Sequence, residues 1–409
     1  MVRVLHLSDL HLNTGFGSKK QSVRESLKEA LLNAFEKSVH YAVANRLDAI
    51  IIAGDLFDND NINFHMEKRI LKNIQSILDS DIDIFYSTGN HDPMGTTNIL
   101  NAYKSHPRLH IFESDEIVRK SMQSKDGTSY EVVGCGHKSK GEKRNLIKKF
   151  PFKNNRLPWI GIAHASVPSA RTVSEKESYM PTALSDIESL DYDYFALGHI
   201  HIRQKLTQKV AYSGNIQGLS IKETGNKGGY LVELDMSSTN VTPVDFHEIE
   251  WVYTELEITP ETTNFESLSI LMTRSIMEKV AINEKSYICR VALKGRSSLY
   301  KELKESSNIR FLEEDLCNEL GVLDLEIKTD AVTRNIDIEE LKREATVLSY
   351  ALRQLEFCSE SEALMERLYA LPIFPRGMTE NEKKKLIITK YEKVQNEIVN
   401  RMVRNDYDY

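Results

Sequence analysis

The chain has 409 residues, a formal net charge of -7 at pH 7, and 41% hydrophobic residues. That length predicts two or three domains, and the composition suits globular folding and excludes a membrane-embedded class. The acidic balance provides no overall basic field to coat nucleic acid, but leaves room for an enzyme whose local cations handle phosphates.

In chain order, Arg3 to Ser8 reads as a buried strand that begins with no long apolar leader core. Ser22 with Glu25 gives a capping-box signature and predicts a helix through about Ala44. Asp48 to Ala53 is almost wholly apolar and ends at Gly54, as a strand covered on both faces would. A helix from Phe64 to Leu78 and a strand from Ile82 to Ser87 complete a β-α-β-α-β pattern, which predicts an α/β core. Further strands are expected at Glu131 to Cys135, Trp159 to His164 and Tyr194 to Leu197, with a mixed or antiparallel second sheet from Gln204 to Phe246.

Past about Glu250 the character changes. Glu255 to Ile258, Ser286 to Leu293 and Leu323 to Lys328 read as strands of a small α+β module. From Ile338 the pattern turns helical, with Ile338, Leu341, Ala345, Leu348, Leu352 and Leu355 on one stripe. Pro372 and Pro375 interrupt it, and Thr379 with Glu382 opens a last helix carrying Leu386, Tyr391, Val394, Ile398 and Met402. The end, Asn405 to Tyr409, is expected to fray. These boundaries predict domains at 1–250, 251–330 and 331–409. No apolar run approaches the about 20 residues of a membrane span, so no membrane partner is expected. Cys135, Cys289, Cys317 and Cys358 form no CxxC pair, which predicts a reduced, cytoplasmic setting.

The polar residues at the strand ends carry the chemistry. Asp9 and His11 follow the first strand, Asp55 the second, and Asn90 and His91 the third. His164 ends a later strand, and His199 and His201 follow another. Ligands gather at the carboxyl ends of strands in open α/β sheets, so these groups should converge. Carboxylate, amide and imidazole without thiolate suit Mn, Fe, Zn or similar divalent ions. One carboxylate between two cations is the simplest way to hold them together, and Asp55 is the best candidate. His91 is placed to protonate a leaving oxygen, and Asp92 to orient it. His6, His40, His65, His106, His110, His137 and His247 read as ordinary surface or core histidines.

The stretches Asp9-Leu-His11, Gly54-Asp-Leu-Phe-Asp58, Gly89-Asn-His-Asp92, His164 and Gly198-His-Ile-His201 resemble the calcineurin-like phosphoesterase superfamily. The resemblance implies a four-layer α/β/β/α sandwich with a small α+β cap domain and C-terminal helices. It implies one metal on Asp9, His11, Asp55 and His201, another on Asp55, Asn90, His164 and His199, and a catalytic His91. Two divalent ions, commonly Mn²⁺, are the cofactors it implies.

The opening run MVRVLHLSDLHLNTGF, the strand DYDYFALGHIH and the segment Tyr212 to Tyr230 are similar to SbcD-type repair exonucleases, within them to the YhaO-like branch. That likeness implies DNA as substrate, an SMC-like coiled-coil ATPase of SbcC or YhaN type as partner, and a homodimer. It places DNA recognition in the α+β module and docking on the C-terminal helices, with Leu341, Leu348, Leu352, Leu355, Tyr391, Val394 and Ile398 as candidate contacts. Asp58 stands where some relatives have a histidine tied to exonuclease action, and Leu219 stands where a basic residue is expected. Lys19, Lys20, Lys138, Lys140, Lys143 and Arg144 are candidate DNA contacts with Asp58, although a charge run also reads as a solvated face. A phosphatase or phosphodiesterase for small phosphoesters, and a mainly structural clamp of the ATPase, are the alternative functions.

Overall fold

The computed structural model describes residues 1–58, 62–96, 98–168, 178–280, 285–335, 338–343, 346–371, 373–375 and 378–402. Strands β1 (Val2–Leu7), β2 (Ala49–Ala53), β3 (Asp83–Ser87) and β4 (Leu109–Phe112) run parallel, with Leu5 opposite Ile50 and Ile50 opposite Ile84. A second sheet starts as the hairpin β5 (Val118–Gln123) and β6 (Ser129–Gly134). It continues in parallel through β7 (Trp159–His164) and β8 (Tyr194–Gly198). The short β9 (Gln204–Lys205) closes its edge against β10 (Val210–Tyr212). Then β11 (Gly228–Leu234) and β12 (Thr239–Asp245) return to the first sheet, antiparallel beside β1. The strand orders are β12-β11-β1-β2-β3-β4 and β5-β6-β7-β8-β10-β9.

Alternation along these strands sorts the side chains into three cores. Leu5, Ile50, Ile52 and Ile84 face outward, under Leu31 and Phe35 of α1 (Gln21–Ala44) and Ile70 and Ile74 of α2 (Phe64–Asp79). Their neighbours Val4, Ile51 and Phe85 face inward and meet Val132, Ile160 and Ala196 of the second sheet. On that sheet's far side, Val133, Ala163 and Phe195 pack under Ile147 and under Ile187 of α3 (Leu184–Glu188). Helices, sheet, sheet and helices therefore form four layers. Each fully buried side chain of this size contributes roughly 1.5–3 kcal/mol.

Three expectations need correction. The Ser22/Glu25 capping box does not form: α1 already starts at Gln21, and its N-cap position, Lys20, has no side-chain cap. The segment from Gln204 to Phe246 is not a second sheet of its own. Its β11 and β12 extend the first sheet, because an antiparallel strand can pair with β1 directly, while β9 and β10 join β8. Strands β4 and β5 were not expected; β5 exposes three successive residues and lacks the apolar signal of the central strands.

The chain divides into one compact unit of Met1–Tyr253, Val280–Cys289 and Val322–Asp324, and another of Thr254–Lys279, Arg290–Gly321 and Leu325–Tyr409. The third sheet has the order β13 (Ile249–Ile258), β14 (Ser286–Ser297), β15 (Asp324–Arg334), each strand longer than its apolar run predicted. In the second unit, α4 (Phe265–Met277) starts on Asn264, whose side chain accepts from Ser267 N, and α5 (Ser306–Leu320) stops at the left-handed Gly321.

The C-terminal helices are α6 (Ile338–Arg343), α7 (Val347–Glu360), α8 (Glu362–Tyr369) and α9 (Glu380–Met402). The Thr379/Glu382 box forms in both directions: Glu382 N donates to Thr379 Oγ1 at 3.3 Å, and Thr379 N to Glu382 Oε2 at 2.8 Å. The stripes split into two environments. Leu348, Leu352 and Val399 are buried, with Ile338, Leu341 and Ile398 packed against them. Leu355, Tyr391 and Val394 instead line a groove of about 380 Å³ with Met365, Phe374 and Leu386. Ala345, Pro372 and Asn405 to Tyr409 lie outside the described residues. No helix among the described residues is long and apolar enough to cross a membrane.

Candidate metal centre

The loops after β1, β2, β3, β7 and β8 meet at one edge of the two sheets. Asp9 N donates to Gly54 O at 3.1 Å and His11 N to Asp55 O at 3.0 Å, so the first two loops continue the strand pairing. His199 N donates to both oxygens of Asp9, at 3.0 and 3.1 Å, and ties the β8 loop to the β1 loop. Four of the candidate ligands sit at positive φ: Asp9 at 51°, His11 at 46°, Asp55 at 51° and His199 at 100°. Such backbone costs of order 1–3 kcal/mol per residue and persists where surrounding bonds over-determine it. Gly54, at φ 91°, has no room for a side chain, since a Cβ would overlap the His164 ring.

The side chains converge. His164 Nε2 lies 3.3 Å from Asp55 Oδ2 and 3.0 Å from Asn90 Oδ1. His11 Nε2 lies 3.7 Å from the same Asp55 oxygen and 3.2 Å from His201 Nε2, which is 3.8 Å from Asp9 Oδ1. The His199 ring packs 5.4 Å from that of His164 and 5.4 Å from Tyr179. All of the candidate ligands therefore lie around one pocket of about 450 Å³, with Asp55, Asn90, His91, His199 and His201 in its wall. Asp9 and Asp55 are almost fully buried. Among the described residues three overlapping sets of donors, Asp9/His11/His201, Asp9/Asp55/His164 and His11/Asp58/His91, are close enough to hold an ion.

The protonation pattern fits such ions. Ala53 O can only accept, so the 3.0 Å contact puts a proton on His164 Nδ1 and leaves Nε2 toward Asp55. Burial opposes charging His164, yet the Asp55 carboxylate leaves it raised to about 9. Burial likewise opposes ionising Asp55, but His164 and His11 hold its carboxyl well below the usual range. A cation between the two groups would satisfy the same carboxylate and take the Nε2 lone pair of a neutral His164.

His91 and its partner differ from expectation. Its Nδ1 lies 2.8 Å from Asp58 Oδ1, and that bond raises the pKa of His91. Asp92, expected to orient it, is buried and otherwise committed. It accepts from Tyr86 Oη at 2.5 Å, Leu56 N at 2.6 Å and Gly89 N at 2.7 Å, so it braces the β2 and β3 loops. Asp58 Oδ1 also lies 3.4 Å from His11 Nδ1. Asp58 therefore stands beside both His11 and His91.

None of the candidate basic residues is in the wall of this pocket. Lys19 is paired with Asp324 at 2.8 Å and lies over the Trp251 ring, while Lys20 is exposed at the start of α1. Arg144 is bound to Asp115 and Glu142, and Lys143 Nζ donates to Ser178 O over the Tyr179 ring. Lys138 and Lys140 are exposed. Three polar residues of the pocket wall were not singled out by sequence: Tyr179, Lys222 and Glu223. His137, which reads as an ordinary histidine in the sequence, is fully buried behind the site with Nε2 2.7 Å from His164 O. A buried histidine and a loop glutamate have no periodic signal that could have marked them.

The comparisons agree with this geometry. The calcineurin-like phosphoesterase family matches residues 2–203. An uncharacterised metallophosphoesterase of Bacillus subtilis, YhaO, is 26% identical over 297 residues, 71% of this chain and 71% of that one. The DNA double-strand break repair protein Mre11 of Saccharolobus solfataricus is 24% identical, covering 74% of this chain and 79% of its own. The SbcD component of the Escherichia coli nuclease SbcCD is 24% identical, covering 60% of this chain and 67% of its own. With those strand-end motifs gathered into one buried donor set, this chain carries a calcineurin-like phosphoesterase domain, similar to that of the SbcD-type proteins.

Proposed function

We propose that the chain is a two-metal DNA nuclease, acting in repair in the cytoplasm with an SMC-like coiled-coil ATPase of SbcC or YhaN type. The observation that carries the reading is the donor set itself: Asp9, His11, Asp55, Asn90, His164, His199 and His201 around one pocket with His91 in its wall. The likeness to proteins named for break repair and for nuclease activity supports DNA as the substrate. Asp9, His11, Asp55 and His201 would hold one ion and Asp55, Asn90, His164 and His199 the other, with Mn²⁺ as the ion of choice. When bound, such ions supply Lewis-acid polarisation of the phosphoryl oxygens and acidify water.

The protein's own part is positioning. Asp58 holds Nδ1 of His91 at 2.8 Å, which leaves Nε2 to hand a proton to the leaving oxygen. Asp92 keeps the Asp55 and Asn90 loops together by accepting from Asp55 N at 3.2 Å as well as Gly89 N. The α+β segment 251–330 serves as cap, and the chain works as a homodimer.

Purified protein with Mn²⁺, offered linear double-stranded DNA, single-stranded DNA and p-nitrophenyl esters with and without the ATPase, tests the reading. DNA cleavage is expected, and His91→Ala should lower it by about 10²–10⁴-fold. Hydrolysis of phosphomonoesters with inert DNA would sink the nuclease reading and favour a small-substrate phosphatase.

Docking of the ATPase is assigned to the groove lined by Leu355, Tyr391 and Val394, the part of the apolar stripe not consumed in self-packing. Val394→Asp should weaken association without changing the melting temperature, because Val394 is 46% exposed. Leu352→Asp, at 0% exposure, should instead cost about 3–5 kcal/mol of stability. Wild-type association by Val394→Asp would refute the assignment.

A further inference from the structure

We propose that Glu223 is a positioning residue for metal binding, fixing the tautomer of His201 so that its bare Nε2 faces the site. The inference rests on the two-metal reading above. Glu223 lies in the loop between β10 and β11, and its side chain is 15% exposed. Its Oε1 lies 3.0 Å from His201 Nδ1. A carboxylate can only accept, so Nδ1 carries the proton, and the lone pair of the neutral ring is left on Nε2. That nitrogen lies 3.2 Å from His11 Nε2 and 3.8 Å from Asp9 Oδ1. Two imidazole nitrogens and a carboxylate oxygen thus face one another, an arrangement that a divalent cation satisfies with all three acting as donors. A carboxylate behind a ligating histidine orients the ring and raises its basicity.

The same glutamate also holds its loop. Oε2 accepts from Asn215 Nδ2 at 2.5 Å and from Leu219 N at 2.8 Å. A purely structural role would end there, and the two roles use different oxygens. Glu223→Gln separates them. Its amide oxygen can keep Asn215 and Leu219, while its NH₂ faces Nδ1 as a donor. His201 must then accept at Nδ1 and carry its proton on Nε2, the nitrogen the ion needs.

The experiment is calorimetric titration of the full chain with Mn²⁺ alone, beside melting curves in chelator. Glu223→Gln should keep one Mn²⁺ near wild-type affinity, lose about 10–100-fold on the other, and melt like wild type without metal. Asn215→Ala, which removes the loop bonds to Gln217 O and Glu223 Oε2 but leaves the carboxylate on His201, should bind both ions as wild type does. The proposal is overturned if Glu223→Gln binds both ions normally, or if Asn215→Ala weakens Mn²⁺ as much as Glu223→Gln does. It is overturned too if the Gln variant is unfolded in chelator while Glu223→Ala is folded and binds both ions. A wild-type chain that took up no Mn²⁺ would overturn the two-metal reading along with it, whereas a normal Glu223→Gln titration overturns this inference only.

Discussion

Asp55→Asn should leave the chain folded while lowering phosphoesterase activity about 10³-fold or more, the loss of several kcal/mol of transition-state stabilisation. The substitution is tolerated locally for two reasons. Asp55 sits at φ 51°, a conformation that asparagine adopts more readily than most residues. Its Oδ1 accepts from His91 N at 2.9 Å, a bond the amide oxygen can keep. The other oxygen is where the change acts. Oδ2 lies 3.3 Å from His164 Nε2 and 3.7 Å from His11 Nε2, so it reaches both halves of the donor set. An NH₂ there presents a donor to the space a cation needs and removes a charge that both ions would share. His164 would then lose its neighbouring carboxylate and become neutral, still bonded through Nδ1 to Ala53 O. Asp92, whose pKa is raised by burial and then by Asp55, would ionise more easily. These changes oppose one another, so melting in chelator should differ little from wild type.

Mn²⁺ separates the two proteins. At about 100 times its Kd, a ligand that binds only the folded state adds roughly 2.7 kcal/mol. The wild type should gain that increment and Asp55→Asn most of it not. Melting with and without Mn²⁺, together with hydrolysis of bis-p-nitrophenyl phosphate, checks the prediction. Full Mn²⁺ stabilisation and full activity in the variant would remove Asp55 from the centre of the site.

The α/β character and the converging strand ends were legible because each rests on a local signal. Ala49–Ala53 is apolar throughout and stops at a glycine and an aspartate, so the strand, its burial and its ligand follow from one short window. Pairing between distant segments was less legible. Nothing local says that β11 will pair with β1, with Leu5 opposite Leu231, instead of with β10 just before it. The partner of His91 failed for the same reason. Asp92 is its neighbour in sequence, but the turn directs that carboxylate to the backbone of residues 55–57 and to Tyr86, while Asp58 arrives from another loop. The apolar stripes of α7 and α9 were legible as stripes. Which of their residues would cover one another, as Leu352 and Val399 do, depended on how the helices pack.

Gly198→Ala should cost about 3–5 kcal/mol, enough to unfold much of a domain that is only marginally stable, and should abolish metal binding in what remains folded. A glycine ahead of His199 could serve merely to let the backbone turn sharply. The structure gives a different cause. A Cβ at Gly198 would overlap the carbonyl oxygen of Ala53 and approach His164 Nδ1 to 2.9 Å. Ala53 belongs to β2 of the first sheet and Gly198 to β8 of the second, so the glycine sets how closely the two sheets approach beside the site. Neither neighbour can yield cheaply. Ala53 O accepts the 3.0 Å bond that orients His164, and Gly198 O accepts from Ala165 N at 3.3 Å. A methyl group would force the sheets apart where close packing leaves no slack, carrying His199 and His201 away from Asp9. Gly141→Ala is the control, since a Cβ there meets no atom within 4 Å, and it should stay within about 0.5 kcal/mol of wild type. Urea unfolding of both variants decides the matter. A Gly198→Ala chain as stable as Gly141→Ala, with Mn²⁺ affinity intact, would mean that the sheets can separate here without loss and that the glycine serves only the turn.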